Sequence, residues 1–120
     1  MSKRELFLYI DDIYSSCNKI LTYTKNYNFT KFKKDPKTID AIVRNLEIIG
    51  EAVKSLPAEF RKTHKNIPWR EITGMRNKVT HEYFGIDEEI LWSTVKDDIP
   101  SLLKEILKIK KSSNSQRLFS

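Results

Sequence analysis

Four stretches of this chain place an apolar residue at every third or fourth position, and each is longer than an ordinary strand. That periodicity constrains the fold more than any other feature, because a 3.6-residue repeat lines up one face of an α-helix. The first stretch spans roughly residues 4–25, with Leu6, Ile10, Ile13, Cys17, Ile20 and Thr24 on one stripe. The second opens at Asp35-Pro36, an N-cap followed by proline at the first helical position. It runs to Lys54 or Ser55 with Ile39, Ile42, Leu46, Ile49, Val53 and Leu56 on its stripe. Gly50 interrupts that stripe at a cost of about 1 kcal/mol relative to alanine, which close approach of another helix would offset. The third begins at Ile67-Pro68-Trp69 and extends to about Tyr83, with Ile72, Val79 and Tyr83 on its apolar side and Gly85 as its stop. Asp87 caps the fourth, and Glu88 and Glu89 suit its positive first turn. Leu91, Val95, Ile99, Leu102, Ile106 and Ile109 form its stripe, with a kink or break expected at Pro100. Residues 26–34 read as a polar, aromatic connection. Pro57 closes the second helix or opens a short turn through Phe60, and residues 61–66 read as a loop.

Four such stripes bury one another best as an all-α, up-and-down bundle of four main helices. The 120 residues suit one domain, drawn here as residues 1–110, with residues 111–120 as a flexible basic tail. Cys17 is the only cysteine, so no internal disulfide forms, and a cytoplasmic setting is expected. On its stripe Cys17 reads as a small buried hydrophobe. The residues after Met1 lack the apolar run of a signal peptide, and no stretch of about 18 apolar residues indicates a membrane span. Trp69 and Trp92 read as core or interface anchors.

The formal charge is +6, and its distribution matters more than its size. Residues 108–120 hold four basic residues and no acid, which leaves +2 for residues 1–107. From residue 61 to 78 lie Arg61, Lys62, Lys65, Arg70, Arg76 and Lys78 with the single acid Glu71. Residues 82–105 carry seven acids against two lysines. The basic stretch suits a phosphate backbone, although a charge run of this kind is commonly a solvated face.

The segment that carries chemistry is residues 74–85, where Arg76, Asn77, His81 and Tyr83 fall within eight positions. Histidine titrates near neutral pH and suits proton transfer. Arginine is a fixed cation with a fork matched to phosphate. With RNA the substrate supplies its own nucleophile. A base takes the 2′-hydroxyl proton, the oxygen attacks the adjacent phosphorus, and a cation stabilises the developing charge. No metal or cofactor is needed, and His64 and His81 with one distant cysteine make no zinc pattern. Helix geometry complicates the pairing, because positions five apart lie about 140° around an ideal helix. A distorted helix, a reaching arginine or a second subunit would each resolve it, and the last is preferred because two copies screen the pair from water. A histidine near a helix end is also often a solvated or capping residue.

Arg76-x4-His81-x-Tyr83 resembles the R-x4-H-x-Y motif of the HepT toxins in the HEPN superfamily. Residues 40–52, with Gly50-Glu51-Ala52, resemble that family's second-helix signature. Ile67-Pro68-Trp69, Gly74-Met75-Arg76-Asn77 and His81-Glu82-Tyr83-Phe84 resemble its active-site segment, and Leu91-Trp92 with Asp98-Ile99-Pro100 its last helix. The resemblance covers about residues 5–108. It implies an all-α homodimer with the two motifs facing each other, acting as a metal-independent endoribonuclease in a toxin–antitoxin pair. Arg76 and His81 match the catalytic pair, and Asn77 the polar position after the arginine. Tyr83 matches the tyrosine that an MntA-like nucleotidyltransferase antitoxin modifies with AMP. Arg61, Lys62, Lys65, Arg70 and Lys78 then become possible RNA contacts. The competing readings are a non-catalytic HEPN-like helical module that binds a partner protein or nucleotide, and a DNA-binding protein. Against the second, no helix spaces base-reading side chains along one basic face.

Overall fold

The computed structural model describes the backbone of residues 1–81 and 87–119, and the side chains there except at 79–81 and 113–119. Among the described residues there is no strand. The elements are α1 (Lys3–Tyr23), α2 (Phe29–Lys33), α3 (Pro36–Ser55), α4 (Ala58–Thr63), α5 (Trp69–His81), α6 (Glu88–Ser93), a π-helical turn (Thr94–Asp98) and α7 (Ile99–Phe119). Helix α3 packs against both α1 and α5, and α7 packs against α1. The chain is therefore an all-α bundle with α3 at its centre.

The expected stripes are the core. Ile10, Ile13, Cys17 and Ile20 of α1 are fully buried, as are Ile42 and Val53 of α3 and Ile106 of α7. Each isoleucine contributes roughly 1.5–3 kcal/mol through burial. Burial also pushes the Cys17 thiol up to about 12, so it is a packed group with no thiolate at neutral pH. Val79 and Tyr83, also expected in the core, lie outside the described side chains.

Capping follows the sequence at two helix starts. Asp35 Oδ1 accepts the Thr38 N–H at 3.1 Å with Pro36 at the first helical position, and Asp87 Oδ1 accepts the Glu89 N–H at 2.8 Å.

Four local expectations change. The connection at 26–34 contains α2, capped by Asn28 and held by the fully buried Phe32, whose ring packs 5.1 Å from that of Trp92. One long-range aromatic contact stabilises five helical residues too short to show a period. The segment from 58 to 63 is likewise a helix, not a turn leading into a loop. Pro100 causes no break. Its missing N–H and its ring are accommodated by the wider π turn just before it, and the backbone stays right-handed helical at Thr94 and Ile99. Helix α7 runs through Phe119 into the stretch expected as a tail, where no Gly or Pro interrupts the chain. Among the described residues no helix is long and apolar enough to cross a membrane.

Candidate active site

Helix α3 brings Gly50 and Glu51 to face α5, and α5 answers with Arg76. Gly50 is buried, and a Cβ placed on it would collide with Cβ and Cγ of Arg76 and lie 3.4 Å from its Cα. The arginine stem therefore fills the space that any side chain at position 50 would need. The close helix approach expected at this glycine is present, and its partner is the motif arginine itself.

Beyond the stem, the guanidinium is anchored twice. Nη2 donates to Glu51 Oε1 in an ion pair, and Nη1 donates to Asn77 Oδ1 at 3.0 Å. Nε is buried and has no partner among the described residues. The Arg76 side chain is only 18% exposed while Glu51 is 54% exposed, so the arginine is the fixed member of the pair. A guanidinium carries five N–H donors; with two engaged and Nε–H buried, the second N–H of Nη1 and of Nη2 remains for an incoming anion.

Helix α5 is a regular α-helix from Trp69 to His81, so the backbone offers no distortion that would swing position 81 toward position 76. The Gly50 seat likewise argues against a free, reaching arginine. The His81 side chain and all of Tyr83 lie outside the described residues. Asn77 is exposed and bonded to Arg76.

A cavity of about 320 Å³ opens beside Arg76. Tyr9 and Asp12, three apart on one face of α1, form one wall, and Arg44, Glu47, Ile48, Glu51 and Ser55 form another along a single stripe of α3. None of Arg61, Lys62, Lys65, Arg70 and Lys78 lines it. Lys62, Lys65, Arg70 and Lys78 are exposed, while Arg61 is half-buried in α4. A larger cleft of about 520 Å³ between α3, α5 and α7 is mainly apolar and does not touch Arg76.

His64 is structural. Its Nδ1 lies 3.0 Å from the Phe60 carbonyl, its ring packs on Phe60, and its own carbonyl accepts the Trp69 indole N–H. Trp69 is thereby a buried core anchor.

Arg44, Tyr9 and Asp12 were not singled out by sequence, and Glu51 entered only within the Gly50-Glu51-Ala52 signature, with no role assigned to it. Glu51 sits 25 positions before Arg76, and nothing in local spacing links them. The unexplained glycine beside it and the Gly50-Glu51-Ala52 signature were the available signals.

A family model described as "Ribonuclease HepT-like" matches residues 13–109. The chain belongs to the HepT-like ribonuclease family. A protein of Caldanaerobacter subterraneus subsp. tengcongensis, named a candidate RNase, is 48% identical over 101 residues, covering 84% of this chain and 90% of that protein. One of Thermococcus cleftensis, named a probable ribonuclease HepT, is 47% identical over 103 residues, covering 86% and 94%. A candidate RNase of Methanocaldococcus jannaschii is 41% identical over 106 residues, covering 88% and 97%. No solved structure matches significantly. The HepT-like match includes Gly50, Glu51, Arg76 and His81, whereas Tyr9 and Asp12 precede it.

Proposed function

We propose that this protein is a metal-independent endoribonuclease toxin of a toxin–antitoxin pair, working in the cytoplasm as a homodimer. The observation that carries the reading is the seating of Arg76, pinned by Gly50 and Glu51 at the mouth of a cavity in a chain of the HepT-like ribonuclease family. His81 removes the proton from the 2′-hydroxyl, and that oxygen attacks the adjacent phosphorus. The P–O5′ bond breaks, the 5′-oxygen takes up a proton, and a 2′,3′-cyclic phosphate remains. Arg76 stabilises the charge that builds on the phosphoryl oxygens. Because α5 is regular between the two positions, Arg76 of one protomer works with His81 of the other.

Silencing follows from the same chemistry. In the sequence Tyr83 follows Arg76 by seven residues, a spacing of two helical turns. An AMP group placed on it by an MntA-like nucleotidyltransferase sets an anionic phosphate beside the arginine and competes with RNA. Expression of the wild type is expected to arrest growth, and His81→Ala to abolish the arrest with fold retained. Co-expression of the nucleotidyltransferase rescues the wild type but not Tyr83→Phe, which cleaves RNA and cannot accept AMP. Growth arrest by His81→Ala equal to that of the wild type contradicts the catalytic assignment, and rescue of Tyr83→Phe through AMP transfer places the acceptor elsewhere.

A further inference from the structure

The cavity beside Arg76 is unlike a second phosphate site. Three carboxylates, those of Asp12, Glu47 and Glu51, and two guanidiniums, those of Arg44 and Arg76, line it. The lining is thus net acidic in a chain of net charge +6. Away from Arg76, a pocket of that sign favours a neutral group rich in N–H donors over a second phosphate. Among the described residues these carboxylates are not gathered to hold a metal ion. At about 320 Å³ the space lies at the small end of ligand pockets.

The carboxylates are not equivalent. Glu51 is committed to Arg76, and Glu47 pairs with Arg44 at 3.6 Å. Asp12 is exposed and has no partner among the described residues. One turn earlier on α1, Tyr9 supplies a half-buried aromatic ring to the same wall. An aromatic face beside an unengaged acceptor is how proteins hold an unstacked RNA base, by stacking on the ring and bonding its Watson–Crick edge.

We infer that this cavity is a base-recognition subsite that selects guanine next to the scissile phosphate, with Tyr9 as the stacking platform and Asp12 as the reader. The inference rests on the ribonuclease reading for its substrate, a phosphodiester held by Arg76. A carboxylate only accepts hydrogen bonds. Guanine alone presents two adjacent donors on that edge, N1–H and the 2-amino group, which two carboxylate oxygens accept as a pair. Adenine, cytosine and uracil each set an acceptor beside their donor and meet the carboxylate with repulsion.

The test compares guanosine 3′-monophosphate with inosine 3′-monophosphate, which lacks only the 2-amino group, by titration calorimetry on the full chain. The guanosine nucleotide is expected to bind about tenfold tighter, as for loss of one hydrogen bond to a charged acceptor. Asp12→Asn, an isosteric change at an exposed site, removes the difference. Equal affinity of the wild type for both nucleotides, or a preference unchanged in Asp12→Asn, overturns the inference. Cleavage of single-stranded RNAs that differ only by guanine or inosine beside one phosphodiester separates the two claims. Cleavage without discrimination overturns the guanine subsite and leaves the ribonuclease. Guanosine-selective binding with no cleavage of any RNA supports the subsite and overturns the ribonuclease.

Discussion

Gly50 and Arg76 share one space, and that contact sets the position of the candidate catalytic cation. The glycine could be read from the sequence as a defect in an apolar stripe that needed a compensating neighbour. The neighbour could not, because it lies on another helix and no periodicity records a tertiary contact. Gly50→Ala tests the seat directly. Helix propensity alone favours alanine by about 1 kcal/mol. Overpacking a filled contact costs about 1–3 kcal/mol, and the clash here falls on the stem of Arg76, close to its backbone, rather than on its mobile end. Overpacking therefore wins. Thermal unfolding of Gly50→Ala is expected at a lower temperature than wild type, with RNA cleavage reduced more than tenfold as the guanidinium loses its position. A variant as stable and as active as wild type contradicts the seat.

At the level of elements, the long helices were legible because each has a stripe, reinforced by the caps at Asp35 and Asp87, whereas α2 and α4 were not. Helix α2 depends on Phe32 packing beneath Trp92, a contact between residues 60 positions apart. The accommodation of Pro100 by a π turn depends on backbone adjustment that no residue type announces. The start of α3 shows how a cap can also be a latch. Asp35 receives the Tyr27 hydroxyl at 2.6 Å, the Thr38 hydroxyl at 2.7 Å and the Thr38 N–H, and these hold its carboxyl below the ordinary value near 3.8. A carboxyl with a lowered folded-state pKa stabilises the fold above its ordinary pKa. It loses that contribution as pH falls through the lower, folded-state value. The melting-temperature gap between wild type and Asp35→Asn should be widest above about pH 4 and shrink in more acid solution. A gap that stays constant from pH 6 to pH 2 removes Asp35 from the pH dependence.

At the scale of the whole molecule, the all-α architecture and the family followed from the sequence, while the arrangement around Arg76 required three helices in register. Helix α3 is the organiser, carrying Gly50, Glu51, Glu47 and Arg44 on the face it turns toward the site. The regularity of α5 makes the second protomer a chemical requirement of the proposed site, and mixing variants tests it. Arg76→Ala and His81→Ala are each expected to be inactive. Mixed and allowed to exchange, they form heterodimers with one intact composite site, which restores about a quarter of wild-type activity under random pairing. No recovery after verified exchange places both residues in one protomer. The most direct test of the central claim is cleavage of single-stranded RNA by the purified protein in EDTA, beside His81→Ala and Arg76→Ala. The account predicts cleavage by the wild type alone, with 2′,3′-cyclic phosphate ends; a folded wild type that cuts no RNA, or variants that cut as well as it does, would contradict it.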